Sequence, residues 1–262
     1  MSSSDEGSSP RQGMPEPSLV VTETTLTPGR GGTESSTASA RGTGTYRILR
    51  TSEVDPYDDP LQPAEVDTLG VERFAGFDET YQGTARRAAK TSIADAEPED
   101  FQDVRDLIEA LPAEAEMTTH QPPITTDAGS GRVEEENRNV RVRAFLYAAS
   151  REDDNDFHLI VGRDPDLEAT YMTMELSGLP PEDSPHFSRL EGAREAYKEF
   201  FGDNLPGASY DFYRPPIPVE VEGSLFFDMS HAHGSRPGPD SLRPAMPTIW
   251  EIHPITDIQF EP

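Results

Sequence analysis

The chain has six histidines and no cysteine, so a metal centre would be built from imidazole and carboxylate alone, and thiolate nucleophiles and disulfides are excluded. Four side chains have the types and spacing to do chemistry: His158, Glu175, Glu251 and His253. Two imidazoles and two carboxylates in one patch suit a divalent cation such as zinc or manganese, or an acid/base pair with matched partners. Asp156, in the acidic loop REDDNDF with Asp153 and Asp154, borders this set, as do Asp228 and His231 beside the long loop MSHAHGSRPGPDSLRPAMP. Loops of that length in a compact domain are more often functional or disordered than neutral. The same residues have a plainer meaning, because His and Glu facing each other across strands form hydrogen-bonded pairs that fix register. His231-Ala-His233 alone is a weak metal signal, and His120 and His186 read as loop residues. No nucleophile motif or cofactor fingerprint accompanies the cluster, so catalytic residues and any reaction stay unassigned.

Bringing the four together requires neighbouring strands, and residues 140–262 supply them. Val140, Val142, Ala144 and Leu146 alternate with Arg141, Arg143, Phe145 and Tyr147; Phe157, Leu159 and Val161 alternate with Asp156, His158 and Ile160. Met172, Met174 and Leu176 face away from Tyr171, Thr173 and Glu175. Period two predicts three strands. A helix follows, with Ser188 and Glu191 at capping-box spacing, Leu190, Ala193, Tyr197, Phe200 and Phe201 on one stripe, and Gly202 as the stop. DNLPGASYDFYRPP reads as turns. Val219, Val221, Leu225 and Phe227 then mark a fourth strand and Ile249 to His253 a fifth, bending on past Pro254 towards Phe260.

Three strands, a helix and two strands make the plan of a mainly β, five-stranded OB-like Greek-key barrel with one helix between strands 3 and 4. A half-open sandwich or a roll gives a similar list. If the second and third strands form a hairpin centred near Pro165 and Asp166, His158 lies opposite Glu175. The barrel plan puts the fifth strand beside the third, where Glu251 and His253 share a face. With Phe157, Leu159, Met172 and Met174 inside, the four polar residues are expected on the outer surface.

The segments D-N-D-F-H at 154–158, Glu175, V-E-G-S-L-F-F-D-M-S-H at 221–231 and W-E-I-H-P-I at 250–255 resemble the pattern of an uncharacterised group of small prokaryotic OB-like β-barrel proteins. That pattern runs D-x-D-x-H, a Glu strand, V-x-G-x-x-F-D-x-x-H, then E-x-H-P. The resemblance covers the C-terminal part only, at Asp156, His158, Glu175, Asp228, His231, Glu251 and His253. It implies the barrel and the choice of residues, and no mechanism.

Ahead of the barrel, residues 1–45 are rich in Ser, Thr, Gly and Glu, with Leu19, Val20, Val21 and Leu26 to bury, and are expected to be disordered. SLVVTETTL could add as an edge strand to a partner, but Pro on both sides favours a transient extended segment. Residues 46–139 read as a partly helical extension and linker. A helix is expected around 79–93, where Thr84, Arg86, Arg87 and Lys90 form a basic patch, and another at about 98–111, with Phe101, Val104, Ile108 and Leu111 on one stripe. Residues 112–139, broken by Pro122, Pro123, Gly129 and Gly131, read as linker.

Forty-nine acidic residues against 22 basic ones give a net charge of -27, and Lys90 and Lys198 are the only lysines. Such a surface repels phosphate backbones, so nucleic acid is disfavoured as a partner, including single strands that Phe145, Tyr147 and Tyr171 could stack. An Asp/Glu-rich, Lys-poor balance fits a protein adapted to a salty cytoplasm. No stretch has the length and apolarity of a signal peptide or a membrane span. The sequence therefore reads as a soluble cytoplasmic binding or interaction module for an unidentified protein or small ligand, whose His/Glu surface cluster could hold a divalent cation. A metal-dependent hydrolase, acting on phosphodiesters, is the alternative.

Overall fold

Alternation produces strands wherever the sequence displays it, and the chain forms further strands where it does not. The computed structural model describes residues 20–27, 44–54, 79–232, 234 and 236–260. The architecture is mainly β, one mixed sheet of eight strands. In chain order they are β1 (Val20–Leu26), β2 (Tyr46–Thr51), β3 (Pro98–Phe101), β4 (Asn139–Arg151), β5 (Phe157–Gly162), β6 (Tyr171–Leu176), β7 (Asp211–Phe227) and β8 (Trp250–Phe260). The helices are α1 (Arg87–Lys90), α2 (Val104–Glu109), α3 (Glu114–Thr118) and α4 (Phe187–Phe201). Among the described residues no helix is long and apolar enough to cross a membrane.

Neighbours in the sheet run β1-β2-β7-β8-β6-β5-β4-β3, and β7 pairs with β4 as well. Pairing among β4, β5, β6, β8 and β7 therefore returns to its start. β6 and β8 run parallel, as do β3 and β4. Phe157, Leu159, Met172, Met174 and Leu176 lie in the main core with Val142, Leu146, Val221, Leu225 and Ile252. On α4 the predicted stripe is buried, and the Phe200 ring stacks on Phe260 with centroids 3.8 Å apart. Gly202, at φ 54°, ends the helix where glycine alone is comfortable. The capping box does not form: α4 starts at Phe187, and His186 at its N-cap makes no side-chain cap bond.

The sequence predicts five strands beyond residue 139, whereas the sheet takes three more from the segments read as tail and extension. β1 pairs with β2, and β2 pairs with β7 from Arg47↔Arg214 to Arg50↔Asp211. Asp211 to Pro216, read as turns, belongs to the 17-residue β7. Phe212 and Tyr213 are fully buried there, and burial between two strands overrides the local turn preference. The helix expected at 98–111 is confined to Val104–Glu109, while Pro98–Phe101 forms β3. Asp103 accounts for the change: it caps α2 by accepting from Arg105 N, and its extended backbone (φ -149°, ψ 144°) leaves the preceding residues free to pair with the open edge of β4. The helix expected at 79–93 shrinks to α1, preceded by Arg86 at φ 50°.

Packing crosses the boundary drawn at residue 139. Val104, Leu107, Met117 and Ile124 belong to the same core as Trp250 and Leu146. Val104 and Leu107 are wholly inaccessible, and each stabilises the fold by about 1.5–3 kcal/mol through burial. The readings of residues 1–19, 28–43 and 55–78, and of His233, lie outside the described residues.

Candidate metal centre

Register assembles the first half of the site. β5 and β6 pair so that His158 faces Glu175, as hairpin counting predicts. In the parallel pairing of β6 with β8, Thr173 is matched to Glu251. Two residues further along, the His253 ring meets Glu175, with Nδ1 2.8 Å from Oε2. Glu251 Oε2 lies 3.6 Å from the same nitrogen, and Asp156 Oδ2 lies 3.4 Å from Nε2. Gly223 on β7 permits this close approach: a Cβ there would stand 2.4 Å from the Pro254 carbonyl oxygen, at a break in the β7–β8 register. That is the physical content of the glycine in V-E-G-S-L-F-F-D.

The four predicted residues and Asp156 come together, but not on the surface. Exposure is 0% for His253 and Asp156, 1% for His158, 2% for Glu251 and 4% for Glu175. Alternation does place them opposite the main core, as expected. What the sequence does not reveal is a second cover, a strap formed by residues 79–94. Tyr81 N donates to Leu179 O, Leu179 N to Glu79 O and Gln82 N to Asp154 O, at 2.8–2.9 Å. Gly178 is the contact point, since a Cβ there would meet the Tyr81 backbone at 2.6 Å.

Two arginines anchor the strap, Arg86 buried and Arg132 half-buried. Arg86 makes a two-pronged pair with Glu136, both contacts 2.7 Å, and donates to the carbonyls of Gly131 and Phe227. Arg132 donates to the carbonyls of Ala89 and Ser92 on the strap, and of Leu225 and His253 on the sheet. With its backbone so fixed, the strap delivers Lys90, whose ammonium stands 3.8 Å from Asp154, 3.9 Å from Asp156 and 3.9 Å from Glu175. Neither Lys90 nor Arg86 is a solvated patch residue. The readable signal was one of only two lysines in a chain that otherwise uses arginine. A lysine is a compact charge that can enter a carboxylate nest where a guanidinium fork does not fit.

The electrostatics are those of carboxylates crowded out of water. Burial, and then Asp154, push Asp156 well above the usual carboxylate range. Burial, reinforced by Glu175 and Asp228, does the same to Glu251. Burial alone would raise Glu175 too, but His253 and Lys90 beside it hold it well below. Burial would lower Lys90, yet the Glu175 carboxylate and its neighbours hold it well above the usual lysine value. Burial keeps His253 low despite Glu175.

Among the described residues, three groups of side chains have ligand atoms within 4.8 Å of one another: Asp156, Glu175 and His253; Glu152, His158 and Glu175; and Asp228, His231 and Glu251. In the second group, His158 is engaged through Nδ1 with Glu152 at 2.5 Å and through Nε2 with Thr173 at 3.3 Å, as a register-fixing histidine would be. The first group differs. Neither nitrogen of His253 makes an aligned hydrogen bond, and Asp156 Oδ2, Glu175 Oε2 and Glu251 Oε2 make none. Buried polar atoms are almost always paired, and each one left over costs about 1–3 kcal/mol. Short, unaligned contacts between donor atoms are what ligands converging on an ion produce. Asp156 itself is fixed by its other oxygen, which accepts from Gly178 N at 2.5 Å. No family model, curated protein or solved structure matches the chain.

Proposed function

We propose that the protein is a divalent-cation-binding module of the OB-like β-barrel group its residue pattern resembles, holding one zinc or manganese ion between Asp156, Glu175 and His253. The observation that carries this reading is His253: fully buried, within 3.6 Å of the carboxylates of Asp156, Glu175 and Glu251, and without a well-aligned hydrogen bond through either ring nitrogen. A mixed imidazole/carboxylate set without thiolate favours zinc or manganese over copper(I) or an iron–sulfur cluster. A cation would displace the proton that burial keeps on Asp156, and Lys90 would complete the charge balance. The closed pairing of β4, β5, β6, β8 and β7, the parallel third and fifth members and α4 between the third and fourth support the barrel reading. Ligands as enclosed as these favour a held ion over phosphodiester turnover at this position, because structural sites are closed and catalytic ones keep an open coordination position.

Full-length protein purified without chelator should carry close to one equivalent of metal by elemental analysis. Asp156→Asn and His253→Ala should lose it. Added zinc at about a hundred times Kd should stabilise the stripped protein by about 2.7 kcal/mol. A metal-free protein whose melting temperature ignores zinc and manganese, yet falls on His253→Ala, would retire the site and leave a structural polar network.

A further inference from the structure

We propose a second, more labile divalent-cation site on Asp228, His231 and Glu251, at the mouth of the same cluster. It extends the reading above and rests on it in one respect: Glu251 is available to the second ion because Asp156, Glu175 and His253 hold the first.

Two of the three side chains, Asp228 and His231, come from the turn after β7, and the third comes from β8. β7 and β8 pair Phe226 with Glu251, and Asp228 follows directly after the last residue of β7. Asp228 N donates to Ile249 O, which ties the start of the long loop to the strand that carries Glu251. The next turn is closed by His231 N donating to the Asp228 carbonyl, and by Ser230 N donating to Asp228 Oδ1 at 2.8 Å. Those bonds use one oxygen of Asp228 and direct the other at His231 Nδ1, in very close contact.

A turn-capping aspartate beside a histidine is ordinary by itself. The observation that points to a ligand is Glu251, whose side chain is 2% exposed and whose Oε2 has no hydrogen-bond partner, with its carboxylate inside the 4.8 Å group. Here the two sites differ. Every ligand of the first is within 5% of complete burial, whereas the side chains of His231 and Asp228 are 11% and 10% exposed. Three protein ligands, two of them reaching solvent, leave a coordination position for water, the arrangement of an exchangeable or reactive ion. Glu251 and His253, two apart on β8, put the sites side by side on one face.

Stripped full-length protein is titrated with Zn²⁺ against a chromophoric chelator, together with His231→Ala, Asp228→Asn and Asp156→Asn. Asp228→Asn keeps the turn cap and removes the charge, and so serves if His231→Ala misfolds. The expected result is two equivalents in the wild type and one in each variant, with the ion lost in His231→Ala being the one released at least tenfold faster to excess chelator. One equivalent in the wild type, kept by His231→Ala and Asp228→Asn but lost by Asp156→Asn, overturns the second site and leaves the first. A single equivalent lost by His231→Ala and kept by Asp156→Asn keeps the loop site and overturns the enclosed one. No uptake at all overturns both.

Discussion

Lys90 shows how one side chain can determine the state of a whole cluster. Its ammonium is the fixed positive charge facing Asp154, Asp156 and Glu175, with the side chain 15% exposed. Removing one partner of a buried pair costs about 3–5 kcal/mol, because the remaining charge is left uncompensated. Lys90→Met should therefore destabilise stripped protein by about 3 kcal/mol in urea, and much less once zinc supplies the missing charge. Equal losses with and without zinc would show that Lys90 and the ion do not share ligands. Asp211 makes a separate, pH-dependent case. Burial raises it to about 7, against the Arg50 guanidinium 3.3 Å away. The folded state then binds a proton that the unfolded chain, titrating near 4, has already released, so Asp211 costs stability as pH rises from about 4 through 7. Asp211→Asn should remove that cost. Measured by denaturation, the variant should gain on the wild type between pH 4 and pH 8, by at most about 4 kcal/mol. A difference that stays flat with pH would mean that Asp211 is ionised throughout.

Among the elements, the strap of residues 79–94 matters most to the site, although it holds only the four-residue α1. Helices that short are not stable alone, so the strap's shape comes from its anchors: Arg86 and Arg132 beneath it and the backbone bonds of Tyr81 and Gln82 at its edge. Gly178 sets how closely it lies on the sheet. Gly178→Ala would push a methyl group against the Tyr81 backbone, which cannot yield as a flexible side chain would. The expected cost is about 1–3 kcal/mol. Amide exchange at Tyr81 and Gln82 should quicken well before that of β5 or β6, with faster release of the enclosed ion. Uniform loss of protection across the sheet would instead mean that the strap and sheet open as one unit.

At the scale of the molecule, the excess of carboxylates over cations shapes the response to salt. Arginines on the sheet are drawn into pairs with acids, among them Arg141 with Glu222 and Asp100, and Arg138 with Glu99. Exposed pairs of this kind contribute about 0–1 kcal/mol each. The net charge of -27 exceeds what they can neutralise. Screening shortens from about 10 Å at 0.1 M salt to about 3 Å at 1 M, so the remaining repulsion should fade across that range faster than the close pairs weaken. The thermal midpoint should rise steadily in KCl from 0.1 to 1 M and beyond. A midpoint that levels off at modest salt would mark an ordinary acidic protein.

Strand register and the polar residues that meet in the cluster were legible in the sequence because both follow from local spacing. Period-two alternation assigns His158 and Glu175 to one face, hairpin counting sets them opposite each other, and the spacing of Glu251 and His253 keeps them together on β8. Burial of the cluster was not legible, since it depends on a segment more than sixty residues upstream of His158 folding back across the sheet. Local pattern carries no information about which face of a strand a distant segment will cover. For the same reason Lys90 and Arg86 read as a basic patch, Arg132 as part of a linker, and Asp211–Pro216 as turns. Their roles come from partners such as Glu136, Glu175 and β2 that only the tertiary structure brings within reach.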